Sequence, residues 1–389
     1  MSYDLRTGLG RMRPANQKSK IVNHKSLGRA ALAAAIYLTF AVYLYQPYFH
    51  GFSSPRLQDL FVINVSLASL GCYVLSRRWI VGFTESLFAG AVYGFGPFAL
   101  GLAKFHPSAG FLFASIPWLF CPAVFGPRGK YKPLRMPLSL LPFLAIPLFF
   151  KSGAAIGLYP IPIKLRLNYA DLAGLLAPLV AAKRNVTLVG FYHIPVASLI
   201  MGVSIFLIPL EGLSRGGILQ RAKFLKGLTI RRLGIAAIFS VATILAFCES
   251  FFDVSPVIWL AISMLFCSVL IGLGMQSLIC AGFDDRKWIL FAAVVMGILA
   301  IVTLLLATKY FQIFAGLGSG YARLLTETAK MYILGTITIA IIFFTARTNL
   351  FHKMPSAGRL MVLLKTGLLC ATMGLDIFLG ARFIVDMIL

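Results

Sequence analysis

At least ten apolar stretches, each long enough to cross a bilayer, run from Arg29 to the C-terminus, and the basic residues fall almost entirely in alternate loops between them. A soluble core has no room for so many apolar runs. In lipid, every backbone N–H and C=O must find a partner within the chain, which favours helices for such runs. The chain is therefore expected to be an all-α, polytopic bundle of about eleven spans. With 59% of its 389 residues hydrophobic and only 12% charged, most of the surface has lipid as its solvent.

The expected spans are 30–46, 60–76, 80–103, 110–125, 137–150, 190–210, 234–249, 257–281, 288–308, 331–346 and 360–379. If the basic leader 1–29 is cytoplasmic, the next cytoplasmic loops hold Arg77 and Arg78, then Arg128, Lys130, Lys132 and Arg135. Later ones hold Arg215 to Arg232, Arg286 and Lys287, and finally Arg347, Lys353 and Arg359. The opposite loops are poorer in Lys and Arg. This alternation places the N-terminus in the cytoplasm and the multi-pass domain, 30–389, in the plasma membrane. The net charge of +24 is thus read as topology and attraction to anionic membrane lipid, and no nucleic-acid partner is expected. Leu32 to Tyr45 is expected to be a retained first helix.

Two stretches depart from simple spanning. On the outer side, 151–189 opens with Ile161, Ile163, Leu165 and Leu167 alternating with Pro162, Lys164 and Arg166, the pattern of extended chain, and continues through 169–178 as an interfacial or re-entrant helix. On the inner side, 211–232 places Ile218, Leu219, Ala222, Leu225 and Leu228 on one face, with Arg221, Lys223 and Lys226 elsewhere. That is the pattern of a basic helix in the headgroup plane.

Acids are scarce enough to take singly. Glu85 falls inside the third expected span and Asp376 inside the last. An ionised carboxylate there costs about 3 kcal/mol unless paired, protonated or facing water. Each is either a functional group or a packing element, Glu85 beside Arg78 and Asp376 with a basic or polar partner in the bundle. Asp59, in the first outer loop with His50 and Arg56, is either a base next to phosphate-binding cations or an acid complementing the dipole of the second span. The six cysteines have no CxxC spacing, no metal site is expected, and the sequence does not support a divalent cation as cofactor. Gly90 and Gly94 have GxxxG spacing and are expected to let another helix approach closely.

Several phrases together resemble the polytopic GT-C glycosyltransferase superfamily, especially bacterial YfhO-type membrane proteins. They are 89–98, Ala-Gly-Ala-Val-Tyr-Gly-Phe-Gly-Pro-Phe, with His106-Pro-Ser and Ile116-Pro-Trp after it; Asp171 to Pro178; Val189 to Leu199; and Ser268 to Gln276 with Arg286-Lys-Trp288. The resemblance covers roughly Gln46 to Leu306. It implies an inverting sugar transfer from a polyprenyl-phosphate donor on the outer face, with Asp59 as base and Arg56, Lys104, His106 or Arg166 holding the phosphate. The superfamily usually carries its catalytic aspartate in a long first outer loop, often with a second acid. Here that loop is short and Asp59 is its only carboxylate, so the fold is compatible with a lost or altered activity. Two other classes stay open: a non-catalytic subunit packed against partner proteins, and a transporter working through Glu85 or Asp376.

Overall fold

The computed structural model describes residues 15–49, 55–80, 82–102, 105–126, 133–183, 189–207, 218–281, 286–309, 320–347 and 355–388. Within those helices, the side chains at 15–26, 55–59, 207, 218–232, 347 and 355–359 lie outside the description. Among the described residues the chain is helical without a named strand. The helices are α1 (Ala15–Tyr45), α2 (Pro55–Ser76), α3 (Phe83–Gly94), α4 (Pro97–Gly101), α5 (Pro107–Phe125), α6 (Arg135–Ser139) and α7 (Leu141–Ala155). They continue as α8 (Pro178–Lys183), α9 (His193–Leu207), α10 (Ile218–Phe247), α11 (Leu260–Cys280), α12 (Arg286–Thr308), α13 (Gly320–Arg347) and α14 (Pro355–Ile388). Six helices are long and apolar enough to cross a membrane, and four shorter ones, Leu60–Ser76, Leu141–Ala155, His193–Phe206 and Leu233–Phe247, are apolar as well.

The described parts of the expected spans fall largely on helix, but the third is broken and the fifth starts across the turn at Leu140 between α6 and α7. Gly94-Phe95-Gly96-Pro97 separates α3 from α4: Pro97 has no N–H to donate, and Gly96 before it is extended, with ψ 161°. On the inner side, α10 runs without a break from the basic stretch into the apolar half, so its backbone is one helix from residue 218 onward.

Close approach between helices is set by glycine. A Cβ at Gly94 would collide with the Ser69 hydroxyl and the Val65 carbonyl of α2, and one at Gly90 with the Tyr37 hydroxyl and the Ser69 carbonyl. The same holds where α9 crosses α11: a Cβ at Gly274 would strike the Ser198 carbonyl, and one at Gly202 the Leu270 carbonyl. Backbone meets backbone there, which is how helices gain dispersion contact in a solvent as apolar as their own side chains. α11 is the centre of the bundle, with Leu260, Ile262, Leu265, Ile271, Met275 and Leu278 buried. α12 turns Leu290, Phe291, Val294, Ile298 and Ile301 outward, the lipid-facing pattern of a peripheral span.

The outer segment is ordered by hydrogen bonds to the bundle. Leu167 N–H donates to Ala246 C=O at 3.0 Å, Val257 N–H donates to Leu165 C=O at 3.3 Å, and the Ser255 hydroxyl donates to the same Leu165 oxygen at 3.2 Å. Ile161 and Leu167 are buried while Pro162, Lys164 and Arg166 are exposed, as the alternation predicts for extended chain. The expected helix after it is a 3-10 turn, Tyr169–Leu175, followed by the short α8. Asn168 and Asp171 cap the turn reciprocally, with the Asn168 N–H donating to Asp171 Oδ2 at 2.8 Å.

Candidate functional site: a buried His–Asp pair under the outer segment

α9 begins deep in the protein because the chain entering it is held there. Gly190, at φ 151°, carries the turn with its Cα against the Gly174 carbonyl of the outer segment, where a Cβ has no space. Next, the Tyr192 hydroxyl donates to Phe95 C=O at 2.7 Å, in the break between α3 and α4, and its ring lies against Gly380 of α14. His193 then starts the helix. Its first-turn N–H groups have no partners within α9, and Pro195 occupies a position where no donor is needed.

Asp376 of α14 supplies the missing acceptor. Its Oδ2 accepts from Ile194 N–H at 2.6 Å, and its Oδ1 accepts from His193 Nδ1–H at 2.9 Å. With Asp376 ionised, the carboxylate only accepts, and Nδ1 carries the proton in that bond. The pair is sealed, with His193 0% and Asp376 2% exposed. The positive end of the α9 dipole contributes about 0.3–1 kcal/mol to holding the negative charge, up to about 2 kcal/mol in partly buried geometry. Tyr332 of α13 stands over the imidazole, its ring at 88° with centroids 5.0 Å apart, and its hydroxyl donates to Leu176 C=O at 2.9 Å. One side chain thus connects the pair to the outer segment. Among the described residues His193 Nε2 is buried without a hydrogen-bond partner, and so is the Thr328 hydroxyl, one turn before Tyr332 on α13.

The sequence expectations divide around this geometry. Asp376 has the basic partner expected of an intramembrane acid. His193 is a functional side chain that sequence reasoning missed, since the bond joins residues 183 positions apart; the available signal was an imidazole at the start of an apolar run. Glu85 belongs to the first turn of α3, 8% exposed, with its carboxylate folded back over Gly82. The Gly82 carbonyl there accepts from Arg77 Nη1 at 2.7 Å, so Arg77 is a cation beside this turn.

His106 caps α5: its Nδ1 accepts from Ser108 N–H at 3.2 Å, leaving Nε2–H directed outward from an exposed ring. Arg166 is exposed on the extended chain, and Lys164 beside it is exposed too. Asp59 and Arg56 belong to the first turn of α2 by backbone, but their side chains, with His50 and Lys104, lie outside the described residues. Among the described residues no three His, Cys, Asp or Glu side chains come together as metal ligands.

Asp171 titrates outside the spans. Its burial pushes its carboxyl above the ordinary value of 3.8, partly opposed by the hydrogen bond from Asn168 N–H. A groove of about 440 Å³ between Ala35, Ile36, Thr39, Phe40 and Tyr43 on α1 is almost wholly apolar. Comparison with protein-family models, with curated proteins and with solved structures gives no match to this chain.

Proposed function

We propose that this chain is a GT-C-like protein of the plasma membrane that takes a polyprenyl-phosphate-linked sugar at its outer face. The reading is supported by the ordered outer segment, which sets the exposed Lys164 and Arg166 at the end of the bundle while Asp171, its acid, is engaged in the Asn168 cap. Neither cation forms an ion pair among the described residues. Cations in that state attract a phosphate diester. Taken as crossings, the six long helices, the four shorter apolar ones and the broken pair α3–α4 would number the eleven this reading requires. With a cytoplasmic N-terminus, they put this segment outside. The basic inner stretch then faces anionic headgroups of the cytoplasmic leaflet.

The proposed chemistry is an inverting displacement. Asp59 accepts the proton of an acceptor hydroxyl as its oxygen attacks the sugar's anomeric carbon, and the polyprenyl phosphate leaves as an anion. Arg56, Lys104 and Arg166 hold that phosphate, and His106 donates to it through Nε2–H, the tautomer favoured by its cap on Ser108. Donor binding tests the cationic side of this proposal. Lys164→Ala with Arg166→Ala is expected to weaken retention of a polyprenyl-phosphate hexose in nanodiscs by about tenfold. Equal retention by the double variant contradicts it.

A further inference from the structure

We propose that His193 and Asp376 form a proton-binding site in the interior of the bundle, with His193 Nε2 as the atom that takes and releases the proton. Capping α9 requires only an acceptor at position 376, a task that Asn or Ser performs as well. The chain instead places a titratable acid there, sets a titratable base against it at 2.9 Å, and leaves the far nitrogen of that base buried and unbonded. Such an arrangement goes beyond what a cap needs.

Charge accounting points the same way. With neutral imidazole the site carries one net negative charge at a depth where only the α9 dipole, Ile194 N–H and His193 Nδ1–H offset it. One added proton on Nε2 makes the pair neutral overall. The groups facing it are Tyr192 on α9, Tyr332 on α13 and Asp376 on α14, with Tyr45 of α1 behind Tyr192. The Tyr192 and Tyr332 hydroxyls donate to Phe95 and Leu176 carbonyls. Met296 of α12, close to Gly335 and Ile194, adds no titratable group. Among the described residues no Lys or Arg pairs with Asp376, so His193 is the basic group placed to balance an ionised Asp376.

The step is simple in its balance. A hydronium ion gives its proton to the Nε2 lone pair, one N–H bond forms, one O–H bond breaks, water leaves, and nothing is oxidised. The Tyr332 ring, perpendicular to the imidazole with centroids 5.0 Å apart, is an aromatic neighbour of the cation so formed. At 0% and 2% exposure the pair is closed to solvent, so the proton enters as the packing around it opens transiently. Because Tyr332 also holds Leu176, the occupancy of this site bears on the inner surface of the outer segment. The proposal does not depend on sugar transfer.

Side-chain NMR of the full chain with ¹⁵N-labelled histidine in nanodiscs tests it. Over a pH titration His193 is expected to change from an imidazolium signature to a neutral ring with a free Nε2 lone pair, and Asp376→Asn is expected to displace that change. One unchanging signature over the range, or a transition indifferent to Asp376→Asn, overturns the proposal. Should Asp376→Asn not fold, acid titration of the wild-type chain against His193→Gln decides. Wild type is expected to take up about one more proton per molecule, and equal uptake overturns the proposal.

Discussion

Lys365 and Asp376 stand on the same helix, α14, and close the ends of two other helices with opposite charge. Asp376 accepts from the first turn of α9, while Lys365 Nζ donates at 2.8 Å to the carbonyl of Ala281, which ends α11. Each charge matches the sign that a helix dipole favours at that end. At 1.5 Å per residue the two groups are about 16 Å apart along α14. One helix therefore fixes the start of α9 and the end of α11, two helices already in backbone contact at Gly274 and Gly202.

Removing the lower of these two charges is expected to cost stability without touching the outer face. Lys365→Met deletes a charge-assisted bond and leaves the Ala281 carbonyl short of a donor, at about 1–3 kcal/mol. Thermal unfolding in detergent should register this as a lower midpoint. A midpoint equal to wild type would show that Ala281 finds another donor.

Gly274→Ala tests the close crossing. The added methyl meets the Ser198 carbonyl with no flexible side chain to give way, so α9 and α11 must separate. The expected loss is about 1–3 kcal/mol, the usual cost of overpacking. Gly367→Ala in α14, where a Cβ meets nothing within 4 Å, is the matched control and should be neutral or slightly stabilising.

Asp171 gives the outer segment a pH dependence of definite sign. Its carboxyl titrates higher in the folded chain than the ordinary 3.8 because it is buried. The folded state therefore holds the proton more tightly, so this contribution to stability is full below about pH 4 and is lost as pH rises through the folded value. Hydrogen exchange across 168–176 should be better protected, after correction for intrinsic rates, at the acid end of that window. Asp171→Asn keeps an oxygen for Asn168 N–H and should flatten the dependence; an unchanged profile would locate its source elsewhere.

The native cysteines report orientation. Cys248 and Cys280 are both exposed, the first just past the outer end of α10 and the second at the inner end of α11 under the proposed topology. An impermeant maleimide applied to intact cells is expected to label Cys248 and spare Cys280. The reverse pattern would invert the topology.

Apolar length made the helices legible, because it is a local property of the chain. So were the Gly90–Gly94 packing face and the alternation from Ile161 to Leu167. The break at Gly94-Phe95-Gly96-Pro97 was written in its residues yet concealed by an apolar run long enough to span. The site was harder to see. Asp376 stood out as an acid in lipid, but its partners His193 and Ile194 belong to a helix start set by Gly190 and by Tyr192 bonding to Phe95, contacts that only the tertiary fold creates. Lys365 was hidden in the same way, since a lysine in an apolar run gives no sign of the carbonyl it meets.

Sugar transfer by the reconstituted chain is the most direct test of the proposed function. Given a polyprenyl-phosphate hexose in the vesicle membrane and a hydroxyl acceptor outside, wild type should release polyprenyl phosphate and form an inverted glycosidic bond. Asp59→Asn should lower that rate by about a hundredfold or more while the donor stays bound, since Asn keeps the size of the side chain but not its basicity. Full transfer by Asp59→Asn, or no transfer by wild type from any of a panel of such donors, would contradict the account.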